Sequence, residues 1–420
     1  MPDLKLDMRE IIDRAIKAVL PESAVKEALS RKDFQERRNK GRIIVASIGK
    51  AAWRMAKAAS DILGSNITGA VVTKYEHSMG DIQGLEIYEA GHPVLDENTI
   101  KGTKALLEHV KNLTQDDTVL FLVSGGGSAL FELPAEGVTL SDMKDITNQL
   151  LACGADIVEI NTIRKHLSGV KGGRFAKLCA PAHVFMVVLS DVLGDRLDSI
   201  ASGPAAPDMS TSEEALNIVK KYDLKVKPEL MKILAQETPK ELNNVTAMIT
   251  GSVTALCEAA SNIAREKGYT PLVLTTTMTC EAREAGSFMA SIAREVLTSG
   301  RPVKAPCAII AGGETVVHLT GKGMGGRNQE FALSASSGIS GLEGIVIASL
   351  GSDGTDGPTD AAGGIVDGHT ESILKNAGIS ISNVLKNNDA YNALKKADAL
   401  LMTGPTGTNV NDVAIALISC

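Results

Sequence analysis

Short apolar runs recur along the chain, and most of them end abruptly in glycine, serine, threonine or aspartate. In the clearest case, VLFLV at residues 119–123 runs directly into SGGGS. Stretches with helical spacing lie between the runs, such as AAWRMAKAASDIL after RIIVAS. Alternation of strands and helices is typical of βαβ units, so we predict an α/β fold with mostly parallel strands.

The length of 420 residues favours two domains over one core. A polar helical region at 212–242, with Pro228 and Pro239, is predicted to link them. The predicted domains are therefore 1–240 and 241–420. A second alternating series begins with VTAMITGS at 245–252 and includes TVVHLTG at 315–321 as a strand.

The composition excludes several classes of partner. A formal net charge of −7 and an aromatic content of 3% argue against binding to nucleic acid or to an anionic membrane. The N-terminal MPDLKLDMRE has no apolar signal core, and no stretch approaches the roughly 20 apolar residues of a membrane span. We therefore expect a cytoplasmic protein. The six cysteines match no zinc pattern and are predicted to be small buried residues.

Five of the predicted strands end in small polar residues, and such ends are where open α/β sheets bind ligands. Turns favour the same residues, so any single end has an ordinary explanation, but five together favour one composite site contributed by both domains. These ends are Ser124–Ser128, Ser190–Asp191, Gly312–Thr315, Gly351–Gly357 and Thr403–Asn409.

SGGGS is the strongest candidate for binding an anion such as a phosphate. Gly125, Gly126 and Gly127 expose consecutive backbone N–H groups, and Ser124 and Ser128 add hydroxyls. The alternative is a plain tight turn. The segment is no Walker A loop, because it lacks the GK[ST] ending.

Two cations are predicted at helix N-termini, where the helix dipole disfavours positive charge by roughly 0.3–1 kcal/mol. Lys50 follows the strand of SIGKAAW, and Arg327 begins the helix of GGRNQEF. An anionic ligand between each cation and the free N–H groups would explain both placements. Lys50 suits a phosphate, and Arg327 suits a bidentate contact with a carboxylate or phosphate.

Carboxylates at the predicted strand ends are candidates for metal binding and proton transfer, the two needs of phosphoryl transfer. Asp191 is the first choice as base or metal ligand because it directly follows a buried strand, and Asp353 is the second predicted metal ligand. We predict structural roles for His92 and His166. The candidate acids are Asp191, Asp195, Glu314, Asp353, Asp356 and Asp360.

Motifs from residue 43 to residue 413 resemble the class II glycerate kinases, the glycerate 2-kinase family with a C-terminal MOFRL domain. Among them are SIGKAA, GHPVLDENT, VSGGGSAL, IRKHLSGVKGGR, LSDVLGDRLDSIASGP, GGETVVHLTGKGMGGRNQEFAL, GSDGTDGPTDAAGGIVDG and TGPTGTNVNDV. The resemblance implies a Rossmann-like N-terminal domain, a C-terminal α/β domain and an active site in the cleft between them. It also implies ATP-dependent phosphorylation of D-glycerate with Mg²⁺, usually at the 2-hydroxyl to give 2-phosphoglycerate. The resemblance does not fix the position, because some glycerate kinases give the 3-phosphate.

The resemblance also singles out Lys50 and Arg327 as active-site residues. We predict that SGGGS and Lys50 bind the ATP phosphates and that Arg327, Glu314 and Asn328 contact the substrate. Asp191 would orient or deprotonate the attacking hydroxyl. The expected partners are D-glycerate and a nucleotide, with no nucleic acid and no membrane, and the sequence leaves room for a homodimer.

Two other functions remain open. An NAD(P)-dependent hydroxypyruvate reductase would use GKGMGG, at 321–326, as a GxGxxG motif. Against it, the preceding TVVHLT carries alternate polar residues, and Glu343 lies before the next strand, at the wrong edge to bind a ribose. A non-catalytic sensor of small phosphorylated acids would also explain anion-binding strand ends.

Overall fold

The computed structural model describes residues 3–194 and 196–419, so the candidate Asp195 lies outside the described residues. The chain forms two compact units. One unit is Ala24–Thr250, and the other combines Met1–Ser23 with Gly251–Cys420. No helix in the described ranges is long and apolar enough to cross a membrane.

The helices vary in length from four to eighteen residues. In chain order they are α1 (Leu4–Ala18), α2 (Pro21–Ser30), α3 (Lys32–Arg37), α4 (Ala52–Leu63), α5 (Glu97–His109), α6 (Gly127–Leu130), α7 (Leu140–Ala152), α8 (Ile157–Leu167), α9 (Arg174–Cys179), α10 (Ser212–Lys221), α11 (Pro228–Leu234), α12 (Val253–Glu266), α13 (Ala282–Ser299), α14 (Arg327–Gly338), α15 (Thr370–Asn376), α16 (Ile381–Lys386) and α17 (Ala390–Lys396).

The strands form two six-stranded sheets. They are β1 (Ile43–Ile48), β2 (Ile67–Lys74), β3 (Leu85–Ala90), β4 (Thr118–Val123), β5 (His183–Leu189), β6 (Val245–Gly251), β7 (Thr270–Met278), β8 (Cys307–Gly313), β9 (Ile345–Gly351), β10 (Gly363–Asp367), β11 (Leu400–Leu401) and β12 (Asp412–Ile418).

The first sheet has the strand order β3-β2-β1-β4-β5-β6, which is the order of dinucleotide-binding folds. Strands β1 to β5 pair in parallel. Every residue of β1 and β4 is buried, as expected where helices cover both faces of a parallel sheet. The prediction of a Rossmann-like α/β sheet is confirmed. Its topological switch point, where such sheets bind ligands, lies between β1 and β4.

The second sheet, ordered β11-β10-β9-β12-β8-β7, is mixed, so the expectation of mostly parallel strands is wrong for this half. Only β7 and β8 pair in parallel. Because β8 and β9 both run antiparallel to β12, their carboxyl ends lie at the same edge as the start of β12. Asp412, the first residue of β12, pairs with Gly313 on one side and Gly351 on the other.

Three further expectations differ from the structure. Strand β6, expected to begin the second series, is the edge strand of the first sheet. Residues 315–320 form no strand, because only Val316 makes an isolated bridge, to Glu281. The region 212–242 is no open linker, since α10 and α11 pack with α7 and α8 around a core that includes Leu150, Ile163 and Leu230.

Helix α1 belongs to the second unit although it begins the chain. Its buried face packs against α12 and β9. The compact units therefore differ from the predicted division at residue 240 in two places, at the N-terminal helix and at β6.

Candidate active site

The segment Ser124–Ser128, called here the glycine loop, follows β4. It is hydrogen-bonded to the residues that follow β1. Lys50 N donates to Gly125 O (2.9 Å), and Ala51 N donates to Ser124 Oγ (3.0 Å). A Cβ on Gly125 would lie 2.3 Å from Asp191 Oδ2, so only glycine lets the backbone approach this carboxylate. The predicted Lys50, glycine loop and Asp191 therefore meet at the switch point of the first sheet.

A lysine and a histidine lie beside the glycine loop. A Cβ on Gly126, whose φ is +82°, would lie 2.9 Å from the His92 ring and 3.3 Å from Lys50 Cγ. Burial lowers the pKa of His92, and the charges of Lys50 and Lys74 lower it further. His92, for which we predicted a structural role, is thus held in its neutral form beside the glycine loop, where Lys50 supplies the positive charge.

A buried lysine holds the glycine loop from behind. Lys171 is 0% exposed, and its Nζ donates to the carbonyls of Ser128 and Phe131, each at 2.9 Å. Its ammonium lies 3.6 Å from Glu132 Oε2, and burial lowers its pKa. Lys171 was not singled out from the sequence. The feature that could have indicated it is that it is the one charged residue in SGVKGG, where the other residues are small or apolar.

A cavity of about 140 Å³ opens beside the glycine loop. Its polar wall is made by His92, Ser128, Glu132 and Arg164. His166, near Arg164 in sequence, is fully buried, and its Nδ1 donates to Thr162 O (2.9 Å), as a structural role requires. Arg164 was not predicted, because nothing in IRKHLSG distinguishes it from its basic neighbours.

In the second unit, Arg327 is the first residue of α14, as predicted, and its guanidinium binds carboxylates of the chain itself. Its Nε and Nη2 donate to the two oxygens of Asp412 (2.6 and 3.0 Å), and Nη1 donates to Glu314 (2.9 Å). Burial opposes the charge, but these carboxylates raise the pKa of Arg327 above its usual range. Asp412, within the motif NVNDV, was not singled out from the sequence.

The N-terminus of α14 is likewise occupied by a carboxylate of the protein. Asp356 accepts from Asn328 N (3.2 Å) and Gln329 N (2.9 Å), and burial raises its pKa to about 6. Asn328 is 1% exposed, and its side chain bonds Ser349 and Asp356. The anion inferred at this helix is thus internal, and a substrate contact by Asn328 stays a prediction.

The glycines of GKGMGG allow other parts of the chain to pack closely against this segment. A Cβ on Gly321 would lie 2.3 Å from the backbone of Asn387, and one on Gly326 would lie 2.3 Å from the carboxylate carbon of Asp356. The motif follows no strand, and Asp356 already caps the helix after it. A dinucleotide pyrophosphate therefore has no free helix N-terminus at this motif.

A family model described as a domain of unknown function, DUF4147, matches residues 7–235, and the MOFRL family model matches residues 307–412. A D-glycerate 2-kinase of Thermotoga maritima is 58% identical over 410 residues, which cover 97% of this chain and 97% of that protein. The chain belongs to the glycerate 2-kinase family. The resemblance inferred from the motifs is confirmed.

Other relatives of this glycerate 2-kinase family member are similar over most of their length. A putative hydroxypyruvate reductase of Agrobacterium vitis is 41% identical over 386 residues, covering 90% of this chain and 100% of that protein. The crystal structure of a glycerate kinase from Thermotoga maritima matches with a TM-score of 0.95 and 57% identity over 100% of both chains. This match confirms the α/β fold of both halves.

A glycerate 2-kinase uses ATP, and the glycine loop has the backbone without side chains and the neighbouring Lys50 that suit its phosphates, a role that stays a prediction. The described residues contain no group of three or more His, Cys, Asp or Glu able to hold a metal. Mg²⁺ commonly needs only one or two carboxylates besides phosphate oxygens. Asp191 lies at the glycine loop, whereas Asp353 lies in the other unit, where its Oδ1 accepts from Thr355 N (3.0 Å). Their metal role stays a prediction.

Proposed function

We propose that this protein is a D-glycerate 2-kinase that transfers the γ-phosphoryl group of ATP to the 2-hydroxyl of D-glycerate. The observation that carries the proposal is the glycine loop beside Lys50 at the switch point of the first sheet, in a chain 58% identical to a D-glycerate 2-kinase. Open α/β sheets bind nucleotides at this position.

The ATP phosphates bind along the glycine loop. The backbone N–H groups of Gly125, Gly126 and Gly127 donate to phosphate oxygens, and Lys50 supplies a positive charge beside them. Lys171 keeps the loop in place by binding the carbonyls behind it. When bound, Mg²⁺ neutralises charge on the β- and γ-phosphate oxygens, and Asp191 is the residue of this edge that would hold it.

Asp191 is also placed to act on the acceptor, as a base or as a hydrogen-bond acceptor that orients the attacking hydroxyl. Within the second unit, Arg327 and Glu314 are the residues that we propose bind an anionic group of a substrate. Because Glu314 is half-exposed, it can release one guanidinium nitrogen of Arg327 to an incoming carboxylate or phosphate at little cost.

The test is the product formed by the purified protein from ATP, Mg²⁺ and D-glycerate, identified by phosphorus NMR. We expect 2-phosphoglycerate. Lys50→Met should lower kcat by about 100-fold or more, because it removes a charge aimed at the transferred phosphate. Lys104→Met, which removes an exposed lysine of α5, is the matched control and should leave kcat unchanged. Full activity in Lys50→Met would contradict the assignment.

A hydroxypyruvate reductase is the second candidate, favoured by the name of the Agrobacterium vitis relative. The packing of GKGMGG against Asn387 and Asp356 argues against it. NADH oxidation with hydroxypyruvate and ADP release with D-glycerate, measured on one preparation, separate the two functions. ADP release without NADH oxidation is the expected result.

A further inference from the structure

Arg164 is a half-buried cation beside the glycine-loop cavity. It lies in the last turn of α8, and it makes no hydrogen bond or ion pair with any residue in the described ranges. Burial lowers the pKa of its guanidinium. Removing a guanidinium from water without a compensating partner is costly, so the arrangement favours an anionic ligand that supplies one.

Glu132 is the acid whose charge acts on Arg164, and its carboxylate already contacts other groups. Glu132 is 1% exposed; its Oε1 accepts from Leu133 N (3.0 Å) and from Ser168 Oγ, and its Oε2 faces Lys171. The single charge of Glu132 thus acts on two cations, Lys171 and Arg164, and its contacts hold it at Lys171. The wall that Arg164 forms keeps a net positive character.

The cavity in front of Arg164 has the size of a small acid. Its volume of about 140 Å³ equals roughly four to five waters at about 30 Å³ each, which suits a three-carbon acid and is too small for a nucleotide. Arg164, Gly126, Ser128 and His92 all line it. A ligand held here is therefore within reach of both the guanidinium and the glycine loop.

We propose that this cavity is the acceptor subsite and that Arg164 binds the carboxylate of the three-carbon hydroxy acid. The inference rests on the proposed function and adds the residue that selects a carboxylate. A guanidinium binds a carboxylate through two parallel N–H···O bonds, which fixes its orientation. The hydroxyl carbons then lie towards Gly126 and His92, beside the proposed phosphate site.

This assignment gives Arg164 and Arg327 different roles. The guanidinium of Arg327 already binds Asp412 and Glu314, whereas that of Arg164 has no partner among the described residues. Arg164 is therefore the better candidate for the substrate carboxylate.

The test is steady-state kinetics on the full-length enzyme with Arg164→Met and Arg164→Lys. We expect KM for D-glycerate to rise about 30-fold or more in Arg164→Met, with a smaller rise in Arg164→Lys and KM for ATP within about twofold. Glycerol, which has no carboxylate, should be used equally poorly by wild type and Arg164→Met. Lys144→Met, at an exposed position of α7, is the charge-matched control and should leave every constant unchanged.

Thermal unfolding separates binding from a structural role. Because Arg164 has no partner to lose, Arg164→Met should melt no lower than wild type. An unchanged KM for D-glycerate, or a lower melting temperature with both KM values raised alike, would overturn the inference while leaving the kinase assignment intact.

If the wild-type protein releases no ADP with D-glycerate, the proposed function is refuted. A direct binding measurement then still tests the subsite. Calorimetric titration with D-glycerate then probes the cavity alone. Binding to wild type that is lost in Arg164→Met supports the subsite. Binding retained in the variant, or absent from wild type, refutes it.

Discussion

Arg327 and Lys50 both lie at helix N-termini, yet the surroundings that stabilise each cation differ. Arg327 is held by a nearly buried carboxylate, Asp412, and by a half-exposed one, Glu314. Lys50 has no such partner among the described residues and lies beside the glycine loop and His92. A cation at a helix start thus indicates a nearby anion, but the chain itself can supply that anion.

The two partners of Arg327 should therefore contribute unequally to stability. Asp412→Asn leaves a partly buried guanidinium without its main counterion and should lower the free energy of unfolding by about 3 kcal/mol, the lower end of the range for buried pairs. Glu314→Gln breaks only the half-exposed contact and should cost less than about 1 kcal/mol. Urea unfolding measures both. Equal losses in the two variants would contradict the unequal burial of the carboxylates.

His166 should make stability depend on pH. Burial lowers its pKa below the ordinary histidine value of 6.5, and its Nε2 finds no hydrogen-bond partner in the described part of the chain. The unfolded chain therefore binds the proton first as pH falls, so this stabilising contribution is complete above pH 6.5 and is lost below it, at up to about 1.4 kcal/mol per pH unit. His166→Phe cannot titrate, so the stability difference between wild type and variant should shrink from pH 7.5 to 5.5. A constant difference would show that His166 is not buried in its neutral form.

The glycine loop is the element whose conformation the proposed function needs most. Gly126→Ala would place a Cβ 2.9 Å from the His92 ring at a φ of +82°. Gly64, at the end of α4, has a φ of +79° and a ψ of −162°, a conformation open essentially to glycine alone, and a Cβ added there would meet nothing within 4 Å. Gly64→Ala therefore carries at least as much backbone strain without crowding a site. We expect Gly126→Ala to raise KM for ATP about tenfold or more, and Gly64→Ala to leave it unchanged. Similar kinetics in the two variants would remove the loop from the nucleotide site.

Strands formed by continuous apolar runs were predictable from sequence. Strands β1 and β4 are buried on both faces, and their residues are therefore mostly apolar. The place of β6 was not, since a strand carries no mark of the sheet it joins. Residues 315–320 alternate as an exposed strand would, yet only Val316 finds a strand partner.

Some residues of the candidate site were likewise predictable from sequence and others were not. Lys50 and the glycine loop were predictable because their signals are local: a strand end, a glycine cluster and a cation at a helix start. Arg164, Lys171 and Asp412 were missed because their importance depends on which distant groups lie opposite them.

At the scale of the whole molecule, the first helix and the last 170 residues form one unit, so its stability depends on both ends of the chain. Asp7 of α1 accepts from Tyr269 (2.7 Å) and pairs with Lys267 (2.9 Å), and Ile11 is 0% exposed. Ile11→Ala should lower the free energy of unfolding by about 2–5 kcal/mol. Leu6→Ala, at a position of the same helix that is 64% exposed, should cost little. In Ile11→Ala, hydrogen exchange should quicken in α12 and β9 before it quickens in β1 and β4. Faster exchange in the first sheet instead would mean that α1 stabilises the other unit.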